Sequence, residues 1–289
     1  MEQTIADVTL EHKAYPTLLL EIPQKPALLH VWGSFPQTAH YISIVGTRRA
    51  TPYGIEMTQK IISGLVGHDI TIVSGLALGI DAVAHHSALA TGLPTIAVIG
   101  SGLSPAVIYP AQNKQLATSI VARGGCVISE YPHEMRAAQW TFPQRNRIVA
   151  GLSHATIVIE APQKSGALIT SRLATEYNRD VGAVPGSVFS DNTTGPHMLL
   201  KNGAALITSS DDVLAMLGIA PPHTEEGADV TASLLPDEKI IYDCMNTPQS
   251  IDEIIRVSGF DTTRATSIIG MMEIRGIIKR IGSTYIKNI

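Results

Sequence analysis

"SIVGTRRATPYG", residues 43–54, brings an apolar run into Gly46, where the chain is free to turn sharply. A strand that ends on such a glycine opens a nucleotide-binding turn of the Rossmann kind. The further glycines of a dinucleotide fingerprint are missing, however, and Thr47, Arg48 and Arg49 occupy the next positions. A pyrophosphate calls for glycines and a narrow turn, whereas a series of phosphates calls for a wider cationic groove, which two arginines can supply.

The same grammar recurs along the chain. Apolar runs "YISIVG", "ITIVSG", "PTIAVIG", "CVISE", "ATIVIE", "VGAVPG" and "AALIT" are separated by helical patterns such as "GIEMTQKIISGLV", "GIDAVAHHSALA", "NKQLATSIVA" and "SGALITSRLATEY". Runs without polar alternation suit strands buried on both faces, and the intervening helices suit right-handed crossovers. The expected fold is α/β: an extended Rossmann-like parallel sheet with helices on both faces, followed by a small C-terminal winged-helix domain. Residues 1–40, with Pro16, Pro23, Pro26 and Pro36, read as an irregular lead-in that has room for a short strand at 28–32. Residues 41–218 form the Rossmann-like domain, and 219–233, rich in proline, glycine and acids, the linker. In 234–289, Ser250 and Glu253 have capping-box spacing, Asp261 or Thr262 caps a further helix, and Gly282-Ser283 fits a two-residue hairpin turn.

The 289 residues carry a net charge of -4, so any polyanion site must be local. No apolar run approaches the roughly 20 residues that span a bilayer, and the acidic N-terminus lacks the pattern of a signal peptide. A cytoplasmic protein without a membrane partner is expected. The only cysteines, Cys126 and Cys244, offer neither a disulfide framework nor a metal pair. The adjacent His85 and His86 point to different sides of a helix, so no metal is expected.

Ligands of an open parallel sheet bind beyond the carboxyl ends of its strands. The loops there hold Gly46, Thr47, Arg48, Arg49, Ser74, Gly75, Gly79, Gly100, Ser101 and Gly102, then "WTFPQRNR" and "QKSGALITS". Between residues 136 and 172, five bases (Arg136, Arg145, Arg147, Lys164, Arg172) stand against the single acid Glu160, which implies a basic pocket. Trp140 and Phe142 beside it suggest stacked bases, worth about 1–3 kcal/mol each in single-strand binding. Singly, each residue has a plainer use: a glycine turns the chain, Trp140 is buried, Arg145 pairs with Glu130 or Glu134, Asp81 caps a helix. No phosphate loop, zinc-protease motif or nucleophile elbow is present, which favours a binding protein without a cofactor over an enzyme.

In order and spacing, "VGTRRATPYG", "SGLALGIDAVAHHSALATGLPTIAVIGSGL", "YPAQN", "ISEYP", "FPQRNRIVAGLS", "VIEAPQKSGALITSRLA" and "VPGS" resemble the DNA-processing protein A (DprA, or Smf) family. The resemblance covers about residues 15–218. It implies binding of single-stranded DNA, homodimerisation, help in loading RecA recombinase during natural transformation, and no catalysis. It puts the phosphate-gripping arginine on Arg48, a basic and aromatic pocket on Phe142, Arg145 and Asn146, and a lysine before a glycine turn on Lys164. Together with the strand-end inventory, the expected DNA-binding set is Gly46, Thr47, Arg48, Arg49, Ser74, Gly75, Gly100, Phe142, Arg145, Asn146, Arg147, Lys164, Ser165 and Gly166. The sequence departs from the family pattern in three places. The family's helical N-terminal module has no counterpart before residue 15, "YPHEMRAAQW" lacks the Gly and Pro often found there, and Ser104-Pro105 replace a common acid. The segment "HMLLKNGAALIT", with Met198, Leu200 and Leu206, is a candidate dimer surface or part of the core. The alternatives are a nucleotide-processing enzyme of the nucleoside monophosphate phosphoribohydrolase type and a protein-interaction scaffold built around the winged helix.

Overall fold

The computed structural model describes residues 5–219, 234–245, 247–281 and 284–287. The chain divides into two compact units, residues 1–220 and 221–289. The expected linker, apart from Ile219, and the Gly282-Ser283 turn lie outside the described residues.

All seven apolar runs are strands of one sheet in the first unit: β3 (His40–Val45), β4 (Ile70–Ser74), β5 (Thr95–Val98), β6 (Cys126–Ser129), β7 (Ala155–Val158), β8 (Asp180–Ala183) and β9 (Ala205–Leu206). They pair in parallel, in the order β6-β5-β4-β3-β7-β8-β9. The lead-in is not irregular. It supplies β1 (Ile5–Thr9), the short helix α1 (Thr17–Leu20) and β2 (Leu28–Gly33), and β2 and β1 extend the sheet antiparallel beyond β6. The prolines fall between these elements, where no ladder hydrogen bond is lost, and the apolar residues of 19–31 reach the core: Leu19, Ile22, Leu29 and Val31 are buried.

Alternate strand residues face opposite sides, and helices cover both. Ile42, Ile44, Ile70 and Ile72 pack against α2 (Pro52–Ser63) and α3 (Ile80–Thr91). Ala97 and Val127 continue that face under α4 (Lys114–Ala122). On the other face Val73, Val98, Ile128 and Val158 pack against α5 (Thr141–Gly151) and α6 (Gly166–Glu176). Two shorter helices, α7 (Thr194–Lys201) and α8 (Ser210–Met216), complete the unit.

The motif "WTFPQRNR", expected as a loop, is instead the start of α5. Pro143 is its third helical residue, where the missing N–H has no intrahelical partner to lose. Among the described residues, no helix is long and apolar enough to cross a membrane.

The second unit holds α9 (Pro236–Cys244), α10 (Ile251–Ser258) and α11 (Thr262–Ile274), with a three-stranded antiparallel sheet of β10 (Gln249–Ser250), β12 (Thr284–Lys287) and β11 (Ile278–Ile281). Ser250 and Glu253 form the capping box read from their spacing, and Asp261 accepts from the Arg264 amide (3.0 Å) at the start of α11. Ile241, Ile254, Ile269, Met272 and Tyr285 make its core.

His85 of α3 is fully buried beneath the sheet. The Thr95 hydroxyl donates to the Ile72 carbonyl (2.8 Å), so it must accept from His85 Nδ1–H (2.7 Å), which fixes the tautomer. Burial, with Arg145 and His86 nearby, pushes the His85 pKa down to about 3. The unfolded chain takes up a proton near pH 6.5 and the folded one does not until about 3. This contribution to stability is therefore whole above 6.5 and is lost as pH falls, by about 1.4 kcal/mol per unit. In urea denaturation, His85→Leu should shrink the loss of stability between pH 7 and 5 by about 2 kcal/mol; an unchanged slope would show that His85 protonates in place.

Candidate nucleic-acid interface

The strand order reverses at β3, with β4 on one side and β7 on the other, and an open cleft lies beyond their carboxyl ends. Its volume is about 490 Å³, and its walls come from the β3–α2 loop, the β4–α3 loop, the start of α5, and the β7–α6 loop with the first turns of α6.

The loop after β3 is held rigidly. Thr47 N–H donates to the Glu160 carbonyl (2.7 Å), Ile80 N–H to the Thr47 carbonyl (3.1 Å), and Arg49 N–H to Thr47 Oγ1 (3.2 Å). Gly46 is required because a Cβ there would stand 2.6 Å from the Ile80 side chain. Glu160, almost fully buried, accepts from the Thr51 amide (3.0 Å) and hydroxyl (2.6 Å) at the N-terminus of α2. It approaches so closely that a Cβ at Gly54 would lie 2.3 Å from its carboxylate. Both ends of "GTRRATPYG" are thus shaped by packing, and the arginines between them face outward.

Arg48 is exposed and lines the cleft, its guanidinium 5.1 Å from the centroid of the Phe142 ring. Tyr109 meets the same ring at 5.5 Å, and with Leu78 and Gly100 it bounds a smaller hollow beside Arg48. Lys164 is exposed on the far wall, followed by Ser165, which caps α6 by accepting from the Ala167 amide (3.3 Å), and by Gly166. Asn146 donates to the Gly166 carbonyl (3.2 Å) and so joins α5 to α6 across the floor. The N-terminal turns of α3, α5 and α6 all contribute lining residues, and helix N-termini favour anions.

Other expected residues have internal duties. Arg145 is 5% exposed; its Nη1 donates to the carbonyls of Gly75 and Val98, at the ends of β4 and β5. Gly75 is a glycine because a Cβ would meet that guanidinium at 2.0 Å. Asp81 accepts from the Gly75 (3.1 Å) and Ala77 (3.4 Å) amides. Burial raises the Asp81 pKa, against the pull of Arg145, and burial likewise lowers that of Arg145. Ser74 is buried and donates to the Ile44 carbonyl (2.6 Å). Arg147 points away from the cleft, clamped on the Glu130 carboxylate and the Gln24 carbonyl. The partner of Glu130 is therefore Arg147, not Arg145.

The basic pocket is smaller than the count of bases implied. Of the five bases between residues 136 and 172, Arg145 and Lys164 line the cleft, Arg147 is clamped on Glu130, and Arg172 pairs with Glu176 (3.5 Å). The lining acid is Asp81, turned inward. Arg49 is exposed beside the cleft without lining it. Trp140, 54% exposed, packs edge-on against Tyr131. Tyr109 escaped the sequence reading because nothing in "YPAQN" shows that its ring leans on a helix more than 30 residues later.

Removing Arg145 would leave two strand-end carbonyls and Asp81 without their cation. Arg145→Ala should destabilise the fold by about 3 kcal/mol, whereas Arg48→Ala should stay within about 0.5 kcal/mol. Equal effects in chemical denaturation would contradict this division.

A family model described as DNA recombination-mediator protein A matches residues 7–218. The chain is 45% identical to Protein Smf of Synechocystis over 248 residues, covering 83% of this chain and 61% of that protein. It therefore spans less than two thirds of that relative's length. It is 31% identical to Protein Smf of Escherichia coli, covering 97% and 76%, and 44% identical to DNA processing protein DprA of Streptococcus pneumoniae, covering 70% of each. Among solved structures, DprA of S. pneumoniae superposes with a TM-score of 0.67 at 41% identity, covering 74% of this chain and 75% of that one. DNA processing protein A of Helicobacter pylori, which binds single-stranded DNA, superposes with a TM-score of 0.65 at 30% identity, covering 75% and 98%. With a sheet of this order, a match across nearly the whole first unit, and relatives this similar, the chain belongs to the DNA recombination-mediator protein A (DprA/Smf) family.

Proposed function

We propose that the cleft binds single-stranded DNA, with Arg48 and Lys164 on phosphates and Phe142, backed by Tyr109, as a platform for a base. The observation that carries this reading is Arg48 set 5.1 Å from the Phe142 ring at the open edge of the cleft. A cation and an aromatic face side by side match a nucleotide's phosphate and base, and a base is available for stacking only when it is unpaired. Neither Glu160, whose oxygens are engaged by Thr51, nor the inward-turned Asp81 is placed for acid–base work on a mononucleotide. This supports a binding role without catalysis.

Arg48→Ala should weaken single-strand binding at least tenfold and Phe142→Ala severalfold, with a smaller loss for Lys164→Ala. The two charge variants should each lower the salt-dependence slope by roughly 0.7. A mobility-shift titration of single-stranded and duplex oligonucleotides, with mononucleotide hydrolysis measured in parallel, checks this. Unchanged affinity in all three variants, or duplex preference, would remove the cleft from the binding site.

The second unit, which we read as a winged helix, has an auxiliary role. Arg264 of α11 and Arg275, which follows it, are engaged within the unit: Arg264 with Asp237 and over the Phe260 ring (4.8 Å), and Arg275 with Glu238 (2.6 Å). We further read the protein as a cytoplasmic homodimer that hands DNA to RecA recombinase. Met198 and Leu206 are exposed and Leu200 half-buried, and β9 ends the sheet, which suits them to an interface between copies. A shortened chain ending at Gly218 should bind single strands within tenfold of the full protein, about 1.4 kcal/mol, and sediment as a dimer unless Leu206→Glu is introduced. A larger loss of affinity would place the second unit in the main site, and a monomeric shortened chain would move the interface elsewhere.

A further inference from the structure

At the other end of the sheet's architecture, β1, β2 and the loop after β6 bring together three residues far apart in the chain. Asp7 and His30 are direct cross-strand partners in the antiparallel β1–β2 register, so their side chains share a face. Asp7 Oδ1 and His30 Nδ1 are 2.6 Å apart. His133, in the loop that follows β6, sets its ring 4.4 Å from that of His30. One ligand atom from each of the three lies within 4.8 Å of the others.

The Asp7–His30 contact does not account for His133. Its Nδ1 is shielded from solvent and has no hydrogen-bond partner among the described residues, which is costly for a ring nitrogen unless something binds it. His133 is also fixed from behind. Its carbonyl accepts from the Ser104 amide (3.0 Å), and Gly102 N–H donates to the Met135 carbonyl (2.8 Å), so the loop holds the ring against His30. His30 is itself 8% exposed, while the Asp7 carboxylate reaches solvent. Two imidazoles held close together at a tilt of 49°, with an exposed carboxylate at the rim, are a donor set for a metal ion.

We propose that Asp7, His30 and His133 bind one divalent late transition-metal ion, of which zinc is the representative. Imidazole with carboxylate selects this class over magnesium or calcium, which prefer all-oxygen sites. Metal bonds near 2.1 Å place tetrahedral ligands roughly 3.4 Å apart; the ion would therefore part the Asp7–His30 contact, now 2.6 Å, and draw in the wider pairs, which lie within 4.8 Å. Three protein ligands leave the fourth position to water on the Asp7 side. The ion would act as a staple, tying β1, the edge strand, to β2 and to the segment that leads into α5. No spacing in the sequence marks such a site, because the three ligands come from separate strands and a loop.

The test uses the full chain, stripped with a chelator, then dialysed against buffered Zn²⁺ and, separately, Co²⁺. The expected result is one equivalent of zinc per chain by elemental analysis, a visible cobalt spectrum, and a melting temperature raised by Zn²⁺ but not by Mg²⁺. Asp7→Asn and His133→Ala should each lower zinc affinity at least tenfold and abolish the thermal shift, while His86→Ala, at an exposed histidine on α3, should change neither. Asp7 is exposed, so its variant decides the matter should His133→Ala fail to fold. Substoichiometric zinc in the unaltered chain, or equal zinc content in the Asp7 and His86 variants, would overturn the proposal.

Discussion

The buried guanidinium of Arg145 is the tie on which the cleft depends. It reaches from α5 to the carbonyls that end β4 and β5, and it does so beside Asp81, which holds the amides of the β4–α3 loop. A charge so deep is tolerated only when donors and acceptors meet it closely. Gly75 lacks a side chain for that reason. The same tie sets the first turns of α5 over the strand ends, which is what brings Phe142 to Arg48. A residue that resembles a ligand-binding arginine in sequence thus serves chiefly to place another one.

The division of labour among the cations follows from burial. Arg145 and Arg147 are spent on carbonyls and a carboxylate, and Arg179 likewise pairs with Glu21 (2.7 Å) of the N-terminal segment. Arg48 and Lys164 remain in solvent at the two walls. Exposed charges of this kind are weakly committed within the protein and so keep their interaction for a phosphate. Glycines divide in the same way: Gly46, Gly54 and Gly75 are demanded by neighbouring side chains, whereas a Cβ at Gly166 would approach nothing nearer than 3.8 Å.

The N-terminal segment changes the character of the sheet. Without β1 and β2, β6 would end it as an exposed edge; with them the edge moves outward to β1, and Leu29 and Val31 join the core under α5. Arg147 binds the Gln24 carbonyl, so the helix that carries Phe142 is also anchored to this segment. The fold's extension and its cleft are therefore mechanically connected through α5.

Much of this was legible in the residues. Seven strands and four helices could be read from runs and periods, since a strand buried on both faces has to be continuously apolar. The placing of the site at the strand ends followed from glycines that stop those runs, and the family from motifs such as "FPQRNRIVAGLS". In the lead-in the short strand at 28–32 could be read, but β1 could not: it is short, with one buried residue in five, so its strand character comes from pairing with β2 rather than from local pattern. Which arginines bind DNA and which brace the fold is also invisible locally. Arg145 and Arg147 sit two residues apart on one helix, and only the packing around α5 sends one to the strand ends and the other to Glu130. Sequence carries the residue types; the direction in which a long charged side chain points is set by where its partners are brought by the rest of the chain.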